Sequence, residues 1–472
     1  MILVSIGIVY LVGLAVLFLA GQHRHVNIFE GVALAFGVGV SLVVFGLVCE
    51  GVFFDRLSMV PTVIMMVVLA LLFLLRRIKD PLFFRQILSA VSADLSKVKQ
   101  GFLEQKKWQR LLVICCFVYV LTKLVMAVMI NVSHPTISED AVNGWDLKTK
   151  VFFENKSLVL DAANPEFSGG APVRNNYAPL ADLFFILFYR EFPVGLSNIL
   201  SPLIYINFCL LFFGFFLRRC TIRYACLSVY IFLSLPLMFI HSFTSYFNLP
   251  TAFYLFAFSL YLSDQILNPE KKRNVLLILP LTIFLFFGSG VRSENVYLVI
   301  LILGIEVFVL LLSDRLKNTL GTALLSLLLL VAPLCVILFN DYFKHLDTAM
   351  AGHLGEMGGA MFALAFNNIF EPGLLVAPFE QALFHPDYNI LFLVFCVAVI
   401  LMFVFHRANR EVFTQLLVMT GVFLVVILTL YAYPGLLGLL THFGMRYYMV
   451  VVPFAVYIVV MVVYNMTTAQ GT

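Results

Sequence analysis

The chain has 472 residues, of which 62% are hydrophobic and only 12% charged, and its formal net charge is +4. A water-facing surface needs roughly twice that share of charge, and a mean hydropathy of +1.01 goes with apolar runs long enough to cross a bilayer. A soluble enzyme, a nucleic-acid-binding protein and a disordered chain are excluded, and a pI near 8.5 is too mild to call for a polyanionic partner.

In chain order, apolar runs of spanning length cover residues 2–20, 31–48, 59–75, 111–130, 196–217, 224–241, 247–266, 274–290, 295–312, 320–339, 389–405, 411–431 and 447–464. Backbone polar groups in lipid must be satisfied within their own segment, so the runs predict an all-α polytopic protein with about thirteen transmembrane helices. The first run lacks the basic flank and small-residue cleavage site of a secretory signal and reads as a retained span. Six of the eight cysteines, such as Cys209 and Cys335, fall inside apolar runs without a CxxC pair, so they read as small hydrophobes rather than a disulfide framework or zinc site.

Basic residues test the topology. With 76–110 taken as cytoplasmic, twenty of the thirty Lys and Arg residues fall on the inner side, nine on the outer side, and Lys123 alone within a span. This bias predicts the N-terminus outside and the C-terminus inside. The expected organisation is a three-span N-terminal extension (1–75), a basic cytoplasmic linker (76–110), a main transmembrane module (111–464) and a short cytoplasmic tail (465–472). Outer loops 131–195 and 340–388 are too long to be mere connections, so any chemistry is expected on the outer face.

In the first of these loops, His134-Pro135 ends a span, Ser138 can cap a new helix, and Glu139 and Asp140 would occupy its first turn. Acids there complement the helix dipole without any further role. Held at the membrane surface beside a span, they can also act on a lipid-linked head group. Trp145, Lys148 and Phe152 recur at helical spacing, which predicts an interfacial helix with an aromatic underside and a basic top. The segment 177–189, interrupted by Asp182, predicts a helix in or dipping into the outer interface.

Arg292 and Arg446 sit at outer span ends, where positive-inside statistics disfavour them. Each either snorkels to lipid head groups or binds an anion, and a phosphate suits the bidentate guanidinium. Glu294 can orient Arg292 or bind substrate. His353 and Glu356, at i, i+3 spacing, either are ligands for a divalent metal or belong to a second interface segment, 352–368, that shapes the acceptor side. Lys123 and Glu306 lie deep in apolar runs and either pair across neighbouring spans or, for Lys123, snorkel.

Several stretches in order, EDAVNGWDLKTKVFFEN, NNYAPLADLFFILFY, HSFTSYFNLPTAFYLFAFSLYL, GSGVRSENVYL and MRYYMVVVPF, resemble the landmarks of the polytopic GT-C glycosyltransferases, the group of protein mannosyltransferases and the bacterial aminoarabinose transferase. The resemblance covers about residues 111–464. It implies a GT-C-like fold and an inverting transferase that takes a sugar from a polyprenyl-phosphate donor and passes it to a glycan, lipid or protein acceptor. The setting it implies is the periplasmic face of a bacterial inner membrane. Asp140 then stands in the place of the family's loop carboxylate as general base, with Glu139 the alternative, and Arg292 and Arg446 face the donor phosphate. Trp145, Lys148, Tyr177, Asn248, Glu294 and Tyr447 fall in the substrate-facing stretches. Asn248 replaces a frequent acid, Arg292 a frequent lysine, and YAPL a more common YPPL or YPLL, which leaves the sugar and any metal open. Two rival readings are a transporter or flippase for lipid-linked saccharides and an O-antigen polymerase or ligase.

Overall fold

The computed structural model describes residues 2–19, 26–54, 56–58, 60–78, 83–134, 142, 146–157, 179–244, 246–267, 294–312, 368, 376–405, 410–432 and 445–469. Among these every regular element is helical. The helices are α1 (Ile2–Leu19), α2 (Ile28–Phe54), α3 (Val60–Ile78), α4 (Phe83–Leu103), α5 (Lys107–Ser133), α6 (Asp146–Asn155), α7 (Pro179–Ile186) and α8 (Leu200–Arg219). They continue as α9 (Ile222–Ser234), α10 (Pro236–Ile240), α11 (Asn248–Leu267), α12 (Glu294–Leu312), α13 (Ala377–Phe384), α14 (Leu391–Val404), α15 (Arg410–Ala432) and α16 (Val452–Ala469). Short 3-10 turns occupy Val194–Leu196, Pro386–Tyr388 and Met445–Val450.

Five helical stretches among the described residues are long and apolar enough to cross a membrane: Ile2–Leu19, Ile28–Gly51, Lys107–Ser133, Val194–Arg219 and Arg410–Tyr431. Five more are apolar but shorter. The chain is thus an all-α protein whose apolar helices suit a bilayer. The runs at 274–290 and 320–339 lie outside the described residues. The run 224–241 is not one helix. Pro236 lacks the N–H a continuing helix needs and holds Leu235 extended (φ −77°, ψ 120°), so α9 stops and α10 restarts with Pro236 in its first turn.

Burial separates inner helices from lipid-facing ones. In α11 and α16 the residues Leu249–Asp264 and Val452–Val462 are buried on every side, the pattern of a helix surrounded by others. By contrast α5 exposes Leu111, Ile114, Phe117, Leu121, Val125 and Met129 along its length, a surface that only hydrocarbon can cover without cost. Between α8, α9 and α11 the core is aromatic. Phe208, Phe212 and Phe216, each one turn apart on α8, stack in series at 5.4 and 6.3 Å. Phe232 of α9 and Phe256 of α11 close on Phe212 at 5.2 and 5.1 Å.

The N-terminal helices are built into this bundle rather than appended to it. α1 packs on α2, and α2 on α8. Glycines set the first contact: a Cβ on Gly13 would overlap the Ala35 carbonyl, and one on Gly39 would overlap that of Val9, so both positions need a residue without one. Tyr10 reaches across to Asn207 Oδ1 at 3.0 Å. The stretch read as a basic linker contains the 21-residue helix α4. Asp94 Oδ2 of α4 accepts the Ile28 N–H at 2.8 Å and caps the start of α2.

Candidate functional site

Two polar clusters occupy opposite ends of the long helices. The first gathers where α8 ends and α2 and α15 begin. Arg218 grips Glu30 with two parallel bonds, Nε to Oε1 at 2.8 Å and Nη2 to Oε2 at 3.0 Å, and the Tyr261 hydroxyl donates to Oε2 at 2.6 Å. Arg218 also reaches Asp264 at 3.4 Å, and Arg219 holds the other oxygen of Asp264 at 2.6 Å. Arg219 pairs with Glu411 as well, an acid in the first turn of α15, where the helix dipole favours it. Both guanidinium groups lie over the Phe215 ring, at 5.3 and 4.7 Å. Five buried or half-buried charges thus tie four helices together, and the geometry is a structural lock.

Next to the lock, α11, α12 and α15 share a polar seam. Ser263 donates to Glu306 Oε1, Gln415 donates to Ser263 Oγ at 2.8 Å, and Ser259 donates to Gln415 Oε1 at 3.1 Å. Glu306 therefore sits with α11 and α15, while Lys123 lies 3.9 Å over the Phe239 ring. The two do not form the cross-span pair that their depth in apolar runs allowed. Burial within the bundle sorted them to different neighbours.

The second cluster forms at the far end, about 30 Å away along a 20-residue helix such as α8. Three short pieces build it: α6 with α7, the turn before α8, and residues 241–244 and 246–248 with the 3-10 turn Met445–Val450. Asn131, at the end of α5, bonds the Asn198 carbonyl at 3.3 Å as well as its side chain. Asn198 in turn donates to the Phe243 carbonyl at 3.0 Å, and Ser201 to the Thr244 carbonyl at 2.8 Å. These bonds fix the segment carrying His241, Tyr246 and Asn248 over the start of α8. The Asn248 amide then donates to the Arg446 carbonyl at 2.7 Å. The Arg446 guanidinium lies 4.9 Å from the Tyr246 ring centroid and 5.7 Å from that of Tyr447, and His241 packs on Tyr246 at 5.0 Å. An arginine held by two rings is oriented before any ligand arrives.

Acids stand on the other side of the same turn. Asp182 Oδ1 accepts the Leu200 N–H at 2.8 Å, at the first residue of α8. Asp146 Oδ2 accepts the Ser197 hydroxyl at 3.1 Å. Burial is the largest influence on Asp182 and pushes its carboxyl well above the usual carboxylate range; the Leu200 N–H opposes the rise and the Asp146 charge adds to it.

One expectation needs correction. Lys148 is not on an exposed basic top. It is buried together with Thr149, Phe152 and Phe153, while Lys150 and Glu154 are exposed. Its position four residues before Phe152 forces it onto the aromatic face. The helix α7 is covered by protein: its residues 180–186 are all buried, and it packs on α1, α2 and α6.

Of the residues singled out from the sequence, Arg446, Tyr447 and Asn248 come together, and Lys148 lies on α6 at the same end. Glu139, Asp140, Trp145, Tyr177, Arg292, His353 and Glu356 lie outside the described residues, and Glu294 is described only as the first residue of α12. Asp146, Asn131 and Asn198 were missed, and Asp182 was noted only as an interruption. An acid within the apolar stretch 179–188 was a usable signal; lone asparagines at span ends were not. Among the described residues no group of three or more metal-ligating side chains gathers. Compared with known protein families, characterised proteins and solved structures, the chain matches none.

Proposed function

We propose that the Arg446 end of the bundle is the active site of a glycosyltransferase that takes a sugar from a polyprenyl-phosphate donor. The observation that carries the reading is the pre-oriented Arg446, stacked at 4.9 Å on Tyr246 and bound through its carbonyl to Asn248. Such a guanidinium suits the phosphate on which negative charge develops as the sugar departs. At the same end, Asn198 and Ser201 hold the Phe243 and Thr244 carbonyls, and Asp182 and Asp146 bond Leu200 and Ser197 beside them. Asp140, with Glu139 as the alternative, takes the proton from the acceptor hydroxyl as that oxygen attacks the anomeric carbon. Arg292 joins Arg446 at the phosphate, and Trp145, Lys148, Tyr177, Glu294 and Tyr447 line the donor and acceptor sides. The resemblance to GT-C enzymes supports this order of parts, with thirteen spans and the site on the outer face of a bacterial inner membrane. His353 and Glu356 either would hold a divalent metal or shape the acceptor side.

The test is sugar transfer by purified full-length Asp140→Asn in lipid, which keeps shape and removes the base. Loss of transfer with donor binding retained is expected. Transfer near the wild-type rate overturns the base assignment. A transporter of lipid-linked saccharides is the second reading, favoured by the intramembrane seam of Glu306, Ser263 and Gln415. Donor flipping in vesicles without any transfer would favour it.

A further inference from the structure

At the Arg218 end, α4 lies beside the starts of α2 and α9. It faces them with Val91, Asp94, Val98, Gly101 and Phe102, all half-buried, a spacing that marks one side of a helix. Asp94 is occupied by its bond to the Ile28 N–H. The flank next to that side carries Leu88 and Leu95 at i and i+7, 69% and 53% exposed, and Lys99 at i+11, also exposed. Arg85 lies on the same flank one turn earlier.

The turn into α5 is fixed by Arg110, whose Nε donates to the Gln105 carbonyl at 2.8 Å. It presents exposed Lys106, Lys107 and Trp108, and directly after them begins the lipid-facing strip Leu111, Ile114 and Phe117 of α5. Single leucines bracketed by exposed cations, running into a hydrocarbon-facing helix through a tryptophan, match the boundary between acyl chains and head groups.

We infer that α4 and the α4–α5 turn form a binding surface for anionic phospholipid head groups, with the leucines in the acyl region and Lys99, Lys106 and Lys107 on the phosphates. The inference does not depend on the transferase reading. Cations near such a surface draw anionic lipid.

The chain has two tryptophans, so Trp145→Phe leaves Trp108 as the sole reporter. The full-length variant is placed in nanodiscs of phosphatidylcholine with phosphatidylglycerol, and one lipid class at a time carries brominated acyl chains at matched mole fraction. Brominated phosphatidylglycerol is expected to quench Trp108 at least about twofold more than brominated phosphatidylcholine. The preference should vanish when Lys99, Lys106 and Lys107 all become Gln and persist when all three become Arg. Equal quenching by both lipids, absence of quenching by either, or loss of the preference in the Arg variant overturns the inference. Quenching by neither lipid would mean that protein or water covers the surface instead.

Discussion

At the Arg218 end of the bundle, charge is neutralised by opposite charge: Glu30, Asp264 and Glu411 answer Arg218 and Arg219 within bonding distance. At the Arg446 end, the bonds that shape the cluster are chiefly amide and hydroxyl contacts to backbone, and the guanidinium of Arg446 rests on rings. The difference separates two uses of scarce polar groups in an apolar protein. Paired charges hold helices in register at one end, whereas neutral contacts at the other set a guanidinium against aromatic rings.

The largest effect should come from breaking the lock. Arg218→Ala leaves Glu30 buried beside Tyr261 without its cation, and about 3–5 kcal/mol of stability should be lost. Asn198→Ala removes neutral bonds at the other end and should cost about 1–3 kcal/mol. Thermal unfolding of both variants in one detergent checks the ranking, and a smaller loss for Arg218→Ala breaks the comparison. Asn248→Asp is expected to act on both function and stability, because Asn248 is buried. An ionised acid cannot donate to the Arg446 carbonyl and repels it, so the arginine should lose its orientation. A drop in donor affinity of about tenfold, together with a lowered melting temperature, is the expected readout.

Asp182 sharpens the picture through pH. Its folded carboxyl keeps a proton to higher pH than the unfolded one, so the native state binds the extra proton between the ordinary and the raised value. Stability from this group is intact below the ordinary value and falls as pH rises toward the raised one. Asp182→Asn keeps an acceptor for the Leu200 N–H and cannot ionise. Its advantage over the wild-type protein in thermal unfolding should therefore grow with pH across that window, and an advantage that shrinks contradicts the assignment. The smallest effect is expected at Lys156, which follows α6 with φ 50°. Lys156→Gly relieves the left-handed conformation and should stabilise by about 1 kcal/mol, less whatever the contact of its ammonium with the Phe153 ring contributes. Chemical denaturation measures the balance.

The helices were legible because lipid leaves the backbone one solution, so apolar runs such as 411–431 translate directly into helices such as α15. Pairing was not legible. Glu30 and Arg218 are 188 positions apart, and a count of basic residues by side explained Arg218 and Arg219 before any acid was sought for them. Arg446 was found because its position violates the same count. Lys148 was misplaced by reading its charge as exposure when its spacing to Phe152 already set its face. The break at Pro236 was written in the sequence but masked by the hydrophobicity around it.

The proposed contact of Arg446 with a donor phosphate is open to a direct test. Steady-state kinetics of full-length Arg446→Ala, with donor and acceptor varied in turn, tests it directly. A rise in donor KM of about tenfold or more with acceptor KM unchanged is expected; an equal loss for both substrates, or none for the donor, contradicts the proposed role.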